Sequence, residues 1–159
     1  MTPIAGLAVT AAEEFRTLHS YVGRAVAAGR VTRQAAEQRL KAWLAIACRL
    51  GSELPQLDAG MAYQREAFPR DRESFLRADY ADQICPRSIW IVELARTRDK
   101  AFDAAEAAAD TPEAPALIAR AIALRQLADH FAFDINGTHP LPHYVPPEAR
   151  EAASRQAAA

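Results

Sequence analysis

Residues 10–51 carry two apolar stripes at helical spacing, joined by a short turn, and no other feature of the sequence constrains the fold as strongly. Thr10 and Glu13 are spaced as a capping box that would start the first helix, and Gly29 is placed to end it. Thr32 is placed to cap the second helix and Gly51 to end it. Apolar residues recur at three- and four-residue steps in both segments: Phe15, Leu18, Val22, Ala25 and Val26, then Ala36, Leu40, Trp43, Leu44, Ala47 and Leu50. So short a turn makes the two helices antiparallel neighbours, and neither can bury its stripe without further helices.

Composition extends the helical prediction to the rest of the chain. Alanine fills 37 of the 159 positions and glycine only 6, so the summed propensity favours helix. We expect a short helix over residues 61–67, one ending at residue 84, a long one from Pro86 to Ala109, and a last one from a Thr111 cap to about Asp134. The sequence therefore predicts an all-α protein, with a bundle of four to five helices over residues 1–137 and a flexible, Pro-rich extended arm over residues 138–159.

Charge, cysteine usage and hydropathy narrow the class of protein. The net charge is −1, and the two cysteines, Cys48 and Cys85, lie inside apolar patterns, which is typical of buried free thiols and predicts no disulfide. Met1 to Val9 lacks the basic start and cleavage site of a signal peptide, and no apolar run reaches the ~20 residues that span a bilayer. We expect a cytoplasmic protein of bacterial or phage origin, with no cofactor and no membrane partner.

An apolar segment at the start of the long helix suggests how such a protein works. Ile89, Trp90 and Leu94 lie where the helix is apolar on every side, and Tyr80 precedes them. Aromatic side chains are enriched in protein interfaces, although core packing is the commoner role for tryptophan. No nucleophile motif and no phosphate-binding glycine loop is found. These features favour a small non-enzymatic adaptor, assembly factor or regulator, which binds a protein partner or a second copy of itself.

The uneven charge distribution supports a second hypothesis. Residues 1–50 hold seven Arg or Lys and three Glu, a balance of +4, whereas residues 51–110 hold eight basic and twelve acidic residues, a balance of −4. Such asymmetry indicates either pairing between neighbouring helices or a nucleic-acid surface on the hairpin. In the second case the phosphate-binding residues are Arg24, Arg30, Arg33, Arg39 and Lys41. The string from residue 25 to 40 resembles the helical hairpins that follow the catalytic part of some phage and plasmid primases.

Two acidic pairs suggest an enzymatic alternative. Asp79 and Asp82 share one helix face, and Asp103 and Glu106 repeat the same spacing after twenty residues. The pattern resembles the E-x-x-E and E-x-x-D motifs of the all-α nucleotide pyrophosphohydrolases, with Asp in place of Glu at three positions and Glu in place of Asp at the fourth. The resemblance implies a Mg²⁺ site that holds a nucleotide triphosphate.

A histidine-rich stretch gives the remaining metal hypothesis. His130 and Asp134 lie one helical turn apart, and His139 and His143 follow in the tail. Three imidazoles and one carboxylate match the donor set of a tetrahedral zinc site if the tail folds over the helix end. Half-exposed histidines on a helix end are the more common alternative.

Overall fold

A computed structural model describes residues 3–132 and 147–158, and its described residues form seven α-helices and no strand. The helices are α1 (Ile4–Ala27), α2 (Arg33–Leu50), α3 (Pro55–Ala67), α4 (Glu73–Ile84), α5 (Arg87–Ala107), α6 (Ala114–Ala132) and α7 (Pro147–Ala158). The all-α prediction is confirmed. None of the described helices is long and apolar enough to cross a membrane.

The first helix begins earlier than its sequence signals indicate. Pro3 precedes its first residue, and the Thr10 hydroxyl donates to the Gly6 carbonyl at 3.1 Å instead of capping an amide. The predicted capping box is therefore wrong. Its physical reason is that the apolar stripe continues backwards through Leu7, Ala11 and Ala12, all of them buried, so the first two turns also have a face to bury.

The turn that joins α1 to α2 forms as predicted. Gly29 has a φ of +71°, and the amides of Gly29 and Arg30 donate to the carbonyls of Val26 and Ala25. These two bonds close a Schellman motif, which satisfies carbonyls that the helix end leaves open. The Thr32 hydroxyl accepts from the Ala35 amide at 3.1 Å, which confirms it as the cap of α2.

Local chemistry also sets the ends of α2, α3 and α4. Gly51 ends α2 with a φ of +74°. Pro55 occupies the first turn of α3, where no intrahelical amide is needed, so this helix starts six residues before the predicted short segment. α4 ends at the extended Cys85, because the residue before Pro86 avoids the helical region.

The start of the last long helix is displaced from its prediction. Thr111 does not cap it: the Thr111 hydroxyl donates to the Ala108 carbonyl, and Asp110 has a φ of +65°. α6 then begins at Ala114, because this turn uses the threonine to close the preceding segment. The tail predicted as flexible contains α7, whereas residues 133–146 lie outside the described part of the chain.

The chain divides into two compact units, of which the first ends at Glu93 and the second begins at Leu94. In the first unit α1 packs on α2, and α4 packs on both α2 and α3. Its core contains the large, fully buried side chains of Trp43 and Ile46 on α2 and of Trp90 and Ile91 at the start of α5. The second unit buries one face of α6, including Leu124, Leu127 and Phe131, and the residues Leu94, Ala95, Ala101 and Ala105 of α5.

Candidate functional site

Two of the four residues predicted to bind a partner lie in the core. Trp90 and Leu94 have no exposed surface, and Ile89 and Tyr80 are half-buried. The guanidinium carbons of Arg49 and Arg87 lie 5.7 Å and 5.0 Å from the Trp90 ring centroid, within cation–π range. The expectation that both tryptophans pack in the core is confirmed. A partner would meet none of the Trp90 surface in this conformation.

The tip of the helical hairpin, which we define as residues 21–33, is strongly basic. Arg24, Arg30 and Arg33 are exposed, and in the described part of the chain none of them pairs with a carboxylate. The Arg30 guanidinium lies 5.5 Å from the ring centroid of Tyr21, whose side chain is 41% exposed. No Asp or Glu occurs between Phe15 and residue 36. The hairpin tip therefore presents uncompensated positive charge beside an exposed aromatic ring.

The remaining basic residues of the predicted nucleic-acid set differ from these three. The Arg39 Nε donates at 2.8 Å to the Glu93 carboxylate, which is nearly buried, so this charge is used within the first unit. Lys41 is exposed on α2, away from the turn. Arg49, which is outside the predicted set, also faces a carboxylate, that of Asp82 at 4.0 Å. The charge asymmetry of the sequence therefore has both predicted origins, pairing within the unit and an open basic surface at the tip.

A second exposed surface surrounds the turn between α3 and α4, and sequence reasoning missed it. Tyr63 is 69% exposed, Phe68 49% and Phe75 59%. The three residues belong to the end of α3, the turn and the start of α4, so they share one end of this helix pair. Arg70 and Arg72 are exposed between them. We call these three aromatic residues the aromatic turn.

The base of the aromatic turn is held by a two-pronged ion pair. Nε of Arg65 on α3 lies 3.2 Å from both carboxylate oxygens of Glu73 on α4. The Arg65 hydrogen bond holds the pKa of the Glu73 carboxyl below its ordinary value. A fork of this kind has a preferred orientation as well as a distance, so it links the end of α3 to the start of α4. The exposed rings thus lie on α3, on the turn and on α4, and the Arg65–Glu73 ion pair connects the two helices.

A cavity of about 670 Å³ lies beside this pair of helices, between the end of α2, the connection to α3 and the side chain of Arg77 on α4. Cys48 lies in its buried wall, where burial raises the pKa of the thiol to about 11. Burial also raises the pKa of Cys85. A nucleophilic cysteine requires a lowered pKa, so both thiols have the properties of structural residues.

The predicted metal-binding residues fall into different parts of the chain. Asp79 and Asp82 lie on α4 in the first unit, whereas Asp103 and Glu106 lie on α5 in the second. Among the described residues no group of three or more His, Cys, Asp and Glu side chains is placed to hold a metal ion.

The predicted zinc ligands are only partly described. His130 is exposed near the end of α6 and meets Phe131 edge to face. Asp134, His139 and His143 lie outside the described residues, so the zinc hypothesis stays a prediction.

Comparison with known proteins gives no relative from which a site could be transferred. No protein-family model, no curated protein and no solved structure matches this chain.

Proposed function

We propose that this chain is a non-enzymatic binding protein that acts through protein–protein contacts, with the aromatic turn as its docking surface. The observation that carries the proposal is the exposure of Tyr63, Phe68 and Phe75 at one end of the α3–α4 pair. Folding alone gives no reason to expose three large aromatic side chains around one turn, whereas transfer onto a partner removes their apolar surface from water.

The surroundings of the aromatic turn support this function. Aromatic side chains and arginine are the residue types that contribute most to interface energy, and Arg70 and Arg72 flank the exposed rings. The Arg65–Glu73 fork pre-orients both helix ends, so few degrees of freedom would be lost on binding. A rigid surface of this composition suits an adaptor, an assembly factor or a regulator.

Site-specific photo-crosslinking tests the proposal in cells that express the whole chain. A photoreactive phenylalanine analogue is placed at Phe75, and at Val9 of α1 as the control, since both side chains are more than half exposed. We expect a discrete adduct from position 75 and none from position 9. Changing both Tyr63 and Phe68 to Ser should abolish that adduct, because two of the three docking side chains are removed. Since both residues are exposed, each change should alter the free energy of unfolding by no more than about 0.5 kcal/mol.

The outcomes separate the alternatives. Equal adducts from both positions would show that contact with the surface is unspecific, and the proposal would be wrong. An adduct of two copies of this chain would identify the partner as a second copy of the protein. Light scattering at several protein concentrations can check this, since it measures the molar mass of the assembly. No adduct from position 75 under any growth condition would remove the aromatic turn as a docking surface.

The second candidate function is nucleic-acid binding by the hairpin tip, and the placement of Arg33 favours it. Arg33 is the first residue of α2, where the helix dipole favours an acidic side chain, and the first turn of α2 holds no acid. Its charge therefore adds to the partial positive charge of the helix end and to the charges of Arg24 and Arg30. This concentration of positive charge is unfavourable for the helix but attracts phosphate groups.

A salt titration of binding to labelled DNA, followed by fluorescence anisotropy, tests this second function. We expect the affinity of the wild type to fall steeply with salt, and the Arg30→Glu/Arg33→Glu variant to lose binding. Arg70→Glu/Arg72→Glu makes the same change in net charge at another exposed turn of the first unit, and it should bind nearly as well as the wild type. Equal losses in the two variants would indicate a response to net charge alone and would contradict a site at the tip.

A further inference from the structure

The cavity beside α3 has the size and location of a small-molecule site. Its volume of about 670 Å³ falls within the ~300–1,000 Å³ that ligand pockets occupy. It lies within the first unit, where the end of α2, the start of α3 and one side chain of α4 converge. Its walls therefore come from α2, α3, the connection between them and α4, which packs on both of these helices.

One part of the cavity wall is apolar. Cys48, Leu54, Leu57 and Met61 line it, and each of them is at most 6% exposed. The Cys48 thiol donates a hydrogen bond to the Arg77 carbonyl at 3.4 Å, and its sulfur lies 4.0 Å from the Met61 sulfur. The raised pKa of Cys48 keeps this wall uncharged. Such a surface favours a hydrocarbon group over water.

One guanidinium that lines the cavity makes a long ion pair but no hydrogen bond. The side chain of Arg77 lies flat against Gly51, so closely that a Cβ at Gly51 would be 2.6 Å from the guanidinium carbon. The ion pair is with the Glu73 carboxylate, which lies 4.0 Å from the Arg77 Nε and also accepts from Arg65 at a shorter distance. Within residues 3–132 and 147–158 the Arg77 guanidinium donates no hydrogen bond. Its planar set of donors is therefore available to a ligand.

The other charges at the mouth limit the charge of that ligand. Arg65 also lines the cavity, but its guanidinium is engaged by Glu73. The exposed carboxylates of Glu53 and Asp58 line the same cavity. They would repel a group with two or three negative charges, whereas a single carboxylate can be matched by the single fork of Arg77.

We propose that this cavity binds a small monocarboxylate with an apolar body, such as a medium-chain aliphatic acid. The hydrocarbon lies against Leu54, Leu57 and Met61, and the carboxylate accepts from the Arg77 guanidinium. This site is separate from the aromatic turn, and it is independent of the proposed docking function.

Methyl labelling of methionine gives a direct readout of the cavity. Methionine occurs only at positions 1 and 61, so a sample labelled at the methyl carbon gives at most two signals, and Met61→Leu identifies the one in the cavity. Octanoate is titrated into the full-length chain, and octanol, octylamine and octyl phosphate are titrated in parallel. We expect octanoate to shift the Met61 signal to saturation, and each of the other three to bind at least about tenfold more weakly.

Two arginine variants complete the test. Arg77→Met keeps most of the aliphatic stem and should weaken octanoate by at least about tenfold, whereas Arg70→Met, at an exposed arginine outside the cavity, should not change its affinity. No shift of the Met61 signal at millimolar octanoate would overturn the proposal. Equal binding of octanoate and octanol, or tighter binding of octyl phosphate, would overturn the assigned ligand class, and these wild-type comparisons decide the question even if Arg77→Met fails to fold.

Discussion

Replacing Gln64 by Met is expected to stabilise the protein, because this side chain is buried without hydrogen bonds. Gln64 lies in α3, is 1% exposed, and neither its amide nitrogen nor its amide oxygen has a partner within the described structure. Each unbonded buried group costs about 1–3 kcal/mol relative to water. Methionine has the same unbranched length and almost the same helix propensity, and imperfect fit should cost less than about 1.5 kcal/mol. The two unbonded groups together outweigh the cost of imperfect fit, so the free energy of unfolding should rise by at least about 0.5 kcal/mol.

Urea unfolding monitored by circular dichroism measures this change. The midpoint should move to higher urea with an unchanged slope, which would assign the effect to the folded state. Gln56→Met is the control, since Gln56 is exposed on the same helix and its replacement should change stability by no more than about 0.5 kcal/mol. A destabilised Gln64→Met protein, or equal effects of the two changes, would show that Gln64 is satisfied in solution and would refute the reasoning.

Three further predictions use the same urea assay. Gly23→Ala should stabilise α1 by about 0.5–1 kcal/mol, since an added Cβ meets no atom within 4 Å, whereas Gly29→Ala should destabilise by about 1 kcal/mol or more because of its φ of +71°. Arg39→Met should destabilise by about 1–3 kcal/mol, because the nearly buried Glu93 carboxylate loses a charged donor at 2.8 Å; an unchanged protein would contradict this. Because the pKa of Cys48 is raised from its ordinary 9.0 to about 11, the folded state holds a proton that the unfolded chain releases, so stability should fall as pH rises above 9.0, and less steeply in Cys48→Ala.

Local chemistry determined which helix boundaries could be predicted. Gly29, Thr32 and Gly51 were predictable because a left-handed backbone or an amide cap is needed within a few residues, whatever the rest of the chain does. Thr10 and Thr111 carry the same kind of signal, but neither caps a helix. Burial of neighbouring apolar residues extends α1 to before Thr10, and a tight turn at Thr111 moves the start of α6 to a later residue. A cap motif indicates where a helix can begin, and packing decides whether it does.

The candidate surfaces were less predictable than the helices. Sequence periodicity marked Trp90 as apolar on all sides, but whether such a residue is core or interface depends on neighbours that are distant in sequence. Phe68 and Phe75 resemble core residues by composition, and only the packing of α3 on α4 shows that they are exposed. The basic hairpin tip was predictable from the absence of acidic residues, because charge without a nearby partner in sequence has few ways to be neutralised.

Glycine is needed at position 51 for two separate reasons, one in the backbone and one in the packing of Arg77. Its backbone needs a φ of +74° to end α2, and its missing side chain leaves the surface on which the Arg77 guanidinium lies. The first requirement holds whether or not an arginine stands at position 77, whereas the arginine cannot keep its place without the glycine. A substitution at position 77 therefore leaves the end of α2 intact, whereas a side chain at position 51 would both strain this helix end and displace the guanidinium from the cavity wall.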